Sequence, residues 1–315
     1  MKTTRFSVKD FLKRFPDDKA CLSELFELRF GHKPKCSNCS RRGMFKQRSN
    51  RRQYVCPCGF SIAPTAKTIL HKSPTSLRDW FFIMYMMTTT RNGISAKEAQ
   101  RQLGITYKCA WRMCHQIRKA MSSNTLLNGV VEIDDAYVGG KHKGRRGRGA
   151  ACKTILIGAV QRYGSAVAKV VPNLKKGNVR PFITSNVKSG ATIYSDEMRG
   201  YRFIPKEGYQ HDSITHAAKE YVRGKVHTNS IEGFWSQLKR GISGTHIWVS
   251  AKHLQKYADE FSFPINGGED AATKHAVIRA RLRATRASNY KPSAGRKLYV
   301  SLWDEDSETW TDLAG

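Results

Sequence analysis

Two close cysteine pairs near the N-terminus restrict the local fold more than any other feature of this chain. Cys36 and Cys39 are followed, after sixteen intervening residues, by Cys56 and Cys58. Loops this small cannot build an apolar core, whereas four thiolates can hold a tetrahedral Zn²⁺ whose binding drives folding. We therefore predict a zinc ribbon with a structural Zn²⁺. The second pair is spaced Cys-x-Cys instead of Cys-x-x-Cys, so His32 or a water is an alternative fourth ligand.

Helical patterns lie on both sides of the cysteine pairs. Residues 5–30 predict two short helices, and the apolar run 77–87 predicts a buried helix. Ser95 and Glu98 form a capping-box pattern, and residues 103–105 form a turn, so this region has the pattern of a helix-turn-helix. Its second helix would present Tyr107, Lys108, Arg112, His115 and Arg118. An ordinary pair of packed helices has a similar pattern.

From residue 129 the apolar pattern changes to that of strands. Strands are predicted over residues 130–138, 154–160, 165–171, 191–196 and 210–215, with a helix over 179–187. The second and third strands meet at Arg162-Tyr163-Gly164, which indicates a hairpin. This order predicts an α/β fold with a mixed sheet flanked by helices.

An amphipathic helix is predicted over residues 227–240. Glu232 and Lys239 are seven residues apart and fall almost in line on one side, because a helix turns about 100° per residue. Asn229 or Ser230 is the predicted N-terminal cap. A solvated surface helix would show the same charges, so the pattern alone does not decide between a structural and a catalytic helix.

The charge of the chain indicates a polyanionic partner. Fifty-five Lys and Arg against twenty-five Asp and Glu give a formal net charge of +30, and aromatic residues are interleaved with the basic ones. Nucleic acid fits this pattern best, and the helix-turn-helix pattern beside the zinc ribbon favours double-stranded DNA. In the basic segment 141–149 we expect Arg145, Arg146 and Arg148 to contact phosphates. We see no long apolar run and no secretion signal, so we expect no membrane partner and a cytoplasmic protein.

Several motifs in the same order resemble those of DDE transposases of bacterial insertion sequences, in the subgroup with an N-terminal zinc ribbon. The similar segments are Glu132–Gly140, Ser195–Tyr201, His227–Trp235, Leu238–Gly241 and His253–Phe261. Thirty-five residues separate Asp196 from Glu232, and Lys239 lies seven residues after Glu232. With the ribbon, the resemblance covers roughly residues 30–263. It implies a ribonuclease H-like catalytic domain preceded by the zinc ribbon and the helix-turn-helix.

The resemblance also implies a catalytic site. Asp134, Asp196 and Glu232 would hold two Mg²⁺ or Mn²⁺ ions, the hard cations that carboxylates prefer, with Asp134 bridging both. Lys239 would contact the DNA backbone near the transferred strand, and Asn229 could assist as a ligand or orient one. Asp134 and Asp135 point to opposite faces of a strand, and the resemblance, not the pattern, selects Asp134.

Further expectations concern DNA contacts and domains. We expect Lys108, Arg112 and Arg240 to contact DNA, both transposon ends and target, in a homo-oligomer. The expected domains are an N-terminal helical segment (1–32), the zinc ribbon (33–72), the helix-turn-helix region (75–125), the catalytic domain (128–263) and a partly disordered C-terminal extension (264–315). For His216 and His227, a surface or capping role and a role in the catalytic site are equally favoured. Two alternatives to a transposase are a ribonuclease H-like DNA nuclease and a DNA-binding regulator derived from a transposase.

Overall fold

The computed structural model describes residues 6–90, 92–122, 125–139, 153–196, 199–214, 227–263, 301–304 and 309–312. The chain divides into two compact units, one of Val8–Phe81 with Arg279–Gly315 and one of Met1–Ser7 with Phe82–Ile278. The five-part division expected from the sequence stays a prediction. None of the described helices has both the length and the apolar content needed to cross a bilayer.

The two short N-terminal helices predicted from the sequence are present. Helix α1 spans Val8–Arg14, and α2 spans Asp18–Phe30. Asp17 caps α2, because its Oδ1 accepts a hydrogen bond from the backbone N–H of Ala20 at 2.8 Å.

A small antiparallel sheet carries the cysteine pairs. Its strands are β1 (Lys46–Gln47), β2 (Tyr54–Val55) and β3 (Ser61–Ile62), in the order β1-β2-β3. The ring of Tyr54 stacks on Phe26 of α2 with 3.9 Å between centroids. The ribbon is thereby anchored on α2 by an aromatic contact.

Three further helices follow: α3 (Leu77–Thr89), α4 (Ala96–Leu103) and α5 (Tyr107–Met121). The prediction of a buried α3 is confirmed, since the side chains of Trp80, Phe81, Ile83 and Met84 are fully buried. Both helices of the predicted helix-turn-helix pattern are present. Ser95 Oγ accepts from the N–H of Glu98 at 3.1 Å, and Thr106 Oγ1 accepts from the N–H of Cys109 at 3.3 Å. Gly104 supplies the left-handed turn between them, with φ of 65°.

The expectation that α5 presents all five of its polar residues is wrong for two of them. Tyr107 and Lys108 are exposed and Arg112 is half-buried, but His115 and Arg118 are buried. Helix α8 (Ala251–Ser262) accounts for this difference, because its Glu260 accepts a hydrogen bond from Arg118 Nε at 2.7 Å.

A five-stranded mixed sheet forms the centre of the larger unit. Its strands are β4 (Val130–Val138), β5 (Thr154–Gln161), β6 (Ala166–Val171), β7 (Thr192–Asp196) and β8 (Gln210–Ile214). The order is β6-β5-β4-β7-β8, with antiparallel β6-β5-β4 and parallel β4-β7-β8. The predicted strands and the mixed α/β class are confirmed. The strand order agrees with the ribonuclease H-like fold that the resemblance implies.

Each face of this sheet has its own apolar core, because alternate residues of a strand point to opposite faces. Helix α6 (Lys176–Asn186), which begins three residues before its predicted start at 179, packs on the face that carries Ile133, Ile157 and Ile193. Helices α7 (Asn229–Gly241) and α8 pack on the face that carries Leu156 and Ala136. The remaining described strands, β9 (Ser301–Asp304) and β10 (Thr309–Asp312), pair antiparallel within the predicted C-terminal extension.

Candidate active site

Two aspartates meet where the central parallel strands separate. The pairing of β4 with β7 ends at Ile133 and Ser195, and the next residues along the two strands are Asp134 and Asp196. Parallel strands end at the same sheet edge, so the two carboxylates emerge side by side. Carboxylate oxygens of Asp134, Asp135 and Asp196 lie within 4.8 Å of one another. The fold therefore brings together two of the three carboxylates proposed from the sequence.

Asp135 joins this cluster, although strand alternation placed it on the face opposite Asp134. The cause lies in the sheet: beyond Ile133 strand β4 no longer pairs with β7 and keeps its ladder only with β5, where Asp135 opposes Ile157. With one neighbour gone, a side chain of either face can reach round the strand edge. Asp134 and Asp135 still start on opposite faces of β4, but at the open edge their carboxylates approach each other and that of Asp196.

Helix α7 brings the third predicted carboxylate over the same strands. A Cβ added to Gly158, which opposes Asp134 in the ladder, would lie 2.6 Å from the Trp235 ring and 3.3 Å from Ile231. The helix therefore sits directly on the strand beside Asp134. Glu232, the next residue after Ile231, is exposed, and its charge contributes to the raised pKa of Asp134. Its Oε1 accepts a hydrogen bond from Thr228 Oγ1 at 3.2 Å.

The electrostatics of the carboxylates suit a cation. Burial raises the pKa of Asp134 to about 7. The negative charges of Asp135, Asp196 and Glu232 raise this pKa further, whereas a backbone hydrogen bond from Asp135 lowers it. A divalent cation would remove the mutual repulsion and offers the ionic partner that oxygen ligands prefer. The donor set therefore fits a hard metal ion.

Glu132 has a structural role that the sequence reading missed. Its side chain is fully buried, and Oε2 accepts hydrogen bonds from the backbone N–H groups of Ser230 at 2.8 Å and Ile231 at 3.2 Å. Arg162 Nε donates to Oε1 at 2.7 Å, and Arg162 also donates to the carbonyl of His227 at 3.0 Å. A carboxylate from strand β4 thus caps the N-terminus of α7.

The predicted caps of α7 are wrong. Thr228 precedes the helix without a side-chain capping bond, Asn229 is its exposed first residue, and Ser230 Oγ donates to Glu132 Oε1 at 3.1 Å. A free helix N-terminus favours a short polar cap, but here a buried anion satisfies the same N–H groups and the helix dipole. The sequence feature that could have indicated this role is the charged Glu132 inside an apolar strand, since charged residues are seldom buried without a partner.

Some of the other predicted site residues are exposed or half-buried, and the rest lie outside the described residues. Lys239 and Arg240 are exposed in the last turn of α7, where Arg240 Nε donates to the carbonyl of Ser236 at 3.2 Å. His227 is half-buried, with Nδ1 3.3 Å from Glu132 Oε1. Residues outside the described ranges are Arg145, Arg146, Arg148 and His216.

The four cysteines form a second cluster of possible metal ligands. Their sulfur atoms lie within 4.8 Å of one another, with 3.6 Å between Cys36 and Cys58 and 3.6 Å between Cys39 and Cys56. Four sulfurs around a tetrahedral Zn²⁺ are separated by about 3.8 Å, given Zn–S bonds of about 2.3 Å. A backbone hydrogen bond from Phe60 helps to lower the pKa of the Cys58 thiol, whereas burial and hydrogen bonds from the other three cysteines raise the pKa of Cys56. The cysteines therefore share protons with one another, and a bound cation would replace those protons. The four-cysteine set fits zinc, and among the described residues His32 is not part of it.

Residues 126–266 match the family model of the ISXO2-like transposase domain. A curated relative from Halobacterium salinarum, described as an uncharacterized protein in transposable element ISH50, is 25% identical over 271 residues, which cover 79% of this chain and 91% of the relative.

Two solved structures are similar at low scores. A simian T-cell lymphotropic virus intasome in complex with PP2A regulatory subunit B56 gamma gives a TM-score of 0.30 at 12% identity, covering 74% of this chain and 85% of the matched chain. A pre-cleavage Mos1 transpososome gives 0.27 at 9% identity, covering 64% and 76%. Scores of this size do not establish a common fold.

Proposed function

We propose, on the premise that residues 126–266 are a transposase domain of the DDE insertion-sequence type, that this chain is a DNA transposase. It would bind the ends of its element, cut one strand at each end and join the freed end to target DNA. The observation that carries this proposal is the meeting of Asp134 and Asp196 at the separation of β4 and β7, beneath α7.

In this proposal the carboxylates hold divalent metal. As the resemblance implies, Asp134 would bridge two ions, with Asp196 and Glu232 each holding one. Two Mg²⁺ or Mn²⁺ ions held there would stabilise both the attacking and the leaving oxygen of a phosphodiester. Asp135 lies within reach of the same cations and is an additional candidate ligand.

Two successive reactions would use these residues. In the first, water attacks the phosphodiester at the element end, and the bond to the leaving 3′ oxygen breaks to give a free 3′-hydroxyl. In the second, that hydroxyl attacks a phosphodiester of the target, whose own 3′ oxygen leaves. Lys239, exposed two turns along α7 from Glu232, would hold the DNA backbone near the transferred strand, and Asn229 would orient a ligand.

The remaining parts of the chain would position the DNA. The net charge of +30 supports double-stranded DNA as the partner. Exposed Lys108 and half-buried Arg112 on α5, with Arg240 on α7, would contact phosphates, as would the arginines of segment 141–149. A homo-oligomer would bring two element ends together, and Zn²⁺ in the four-cysteine set would hold the ribbon in shape.

A strand-joining assay tests the proposed reaction. Purified protein is incubated with Mg²⁺, a supercoiled plasmid and a labelled duplex that ends in the DNA flanking this coding region. We expect cleaved and joined products from wild type, and background levels from Asp196→Ala and Glu232→Gln, with Lys188→Ala as a surface control that retains activity. Cleavage without joined product would identify a nuclease instead. DNA binding with no metal-dependent cleavage by wild type would identify a regulator.

A further inference from the structure

Helices α5 and α8 are locked together by a buried ion pair. Arg118 Nε donates to Glu260 Oε2 at 2.7 Å, with both side chains at most 4% exposed. The Arg118 guanidinium also lies over the Tyr257 ring, 4.2 Å from its centroid, and donates to the carbonyl of Ile94 at 3.2 Å. Removing either ion would leave an unpaired buried charge, so this pair holds the two helices together.

An aromatic side chain sits at the outer edge of this contact. Trp111 of α5 is 36% exposed; its ring lies 4.0 Å from the His115 ring and 5.4 Å from the edge-on ring of His253 on α8. Contacts with two helices hold the indole in place while part of it faces solvent. A large ring ordered in advance contributes contact area at little entropic cost on binding.

Positive charges lie near the two histidines that contact this indole. Lys119 of α5 and Lys252 of α8 are exposed, and Lys256 is half-buried one helical turn after Lys252 on the same side of α8. Burial lowers the pKa of Lys256, as do the positive charges of Lys119, Arg118 and Lys252. Burial and the charges of Lys256 and Lys252 likewise lower the pKa of His253. This accumulation of cations is unfavourable in the free protein and favours an anionic partner.

Helix α8 supplies basic surface at the point where it covers part of α5. On α5, residues 108, 112, 115 and 119 fall on one stripe, since four, seven and eleven residues are close to whole turns. The middle of the stripe is covered at His115, where α8 crosses it and contributes Lys252 and Lys256. The positive stripe of α5 therefore continues onto α8.

We propose that α5 and α8 form one composite DNA-binding face, in which Lys119, Lys252 and Lys256 bind backbone phosphates and Trp111 packs against the adjacent sugar. This inference rests on the proposed function for its choice of DNA as the polyanion. It adds α8 to the DNA contacts and assigns Trp111 a role, neither of which follows from the helix-turn-helix pattern.

The salt dependence of DNA binding tests the composite face. The double variant Lys252→Ala/Lys256→Ala is compared with Lys188→Ala/Lys206→Ala, whose exposed lysines lie by the α6 side of the sheet. Binding of a fluorescent duplex of about 30 base pairs is followed by anisotropy over a range of salt concentrations. Each lost phosphate contact should reduce the slope of log K against log salt by about 0.9, so the α8 double variant should lose about 1.8. The control pair should keep the wild-type slope.

Trp111→Ala provides a second measurement. It should weaken binding while leaving the slope unchanged, because the indole neutralises no phosphate. A wild-type slope and affinity for the α8 double variant would overturn the proposal. The proposal would also be overturned if the α8 double variant lost binding to vesicles rich in phosphatidylserine but still bound the duplex normally.

The two proposals fail in different ways. If metal-dependent strand joining is lost in Asp196→Ala while the α8 double variant binds DNA like wild type, only the composite face is wrong. If Asp196→Ala behaves like wild type in the joining assay while the α8 double variant shows the reduced slope, the catalytic proposal is wrong and the DNA-binding face stands.

Discussion

Replacing Glu132 by glutamine tests whether a buried carboxylate holds the N-terminus of helix α7. The side chain is fully buried and accepts from Arg162, from Ser230 through both backbone and hydroxyl, and from the backbone of Ile231. Glutamine has the same shape but no charge. Its NH2 group is a hydrogen-bond donor, and the groups that surround it are donors as well. At least one partner of the original carboxylate is therefore left without an acceptor.

The expected cost follows from what remains buried. Breaking a buried ion pair by removing one partner costs about 3–5 kcal/mol. The Arg162 side chain is 16% exposed and regains some hydration, so we expect the lower end, about 3 kcal/mol of unfolding free energy. Because the N–H groups concerned begin α7, we also expect Glu232 to shift and strand joining to fall by more than the loss of folded protein explains.

Urea unfolding of wild type and variant measures this cost. The matched control is Glu207→Gln, which breaks a surface pair with Arg180 whose side chains are 21% and 53% exposed and should cost less than about 1 kcal/mol. Adding Arg162→Met to Glu132→Gln should restore part of the stability, because the unpaired cation is removed. A loss below about 1 kcal/mol for Glu132→Gln would refute the reasoning, since no buried pair that mattered would have been broken.

Three further predictions concern the sheet, the carboxylates and the cysteines. Gly158→Ala should cost about 1–3 kcal/mol in urea unfolding, because the new Cβ overlaps the indole packed on the strand, whereas Gly233→Ala on the open side of α7 should be neutral or stabilising. In metal-free protein the pKa of Asp134, raised to about 7, makes the folded state hold its proton more tightly than the unfolded chain. Stability should therefore fall as pH rises from about 4 to about 7, by at most about 4 kcal/mol, and Asp134→Asn should flatten that part of the urea-derived profile. Cys39→Ser should abolish the single bound zinc measured by chelator release, while Cys109→Ser, outside the cysteine cluster, should retain it.

The elements of the fold were largely predictable because their signals are local. Strand-like segments and a hairpin signal located all five strands of the central sheet, and the Ser95 pattern marked the start of α4. The close spacing within each cysteine pair makes a shared metal the simplest way to order so short a segment. In each case the deciding interactions lie within a few residues of one another, so the pattern contains them.

The arrangement of the site was predictable only in part. The residue types and the resemblance selected Asp134, Asp196 and Glu232, and the fold brings the two aspartates together. Alternation alone would keep the carboxylate of Asp135 away from that of Asp134, but β4 has lost its neighbour β7 at that point and the two groups approach at the open edge. The end of a ladder depends on the course of β7, which lies some sixty residues away in the chain.

By itself the sequence determined the types and order of the elements, and it supplied the carboxylates and cysteines that could bind metal and the positive charge that favours a polyanionic partner. Only the tertiary structure decided that Glu132 caps α7 from a neighbouring strand and that Arg118 turns inward to Glu260. The physical reason is that a charged side chain can be hydrated by solvent or paired with an opposite charge in the interior. Which of the two occurs depends on what distant segment packs against it, and that is settled by the packing of the whole domain.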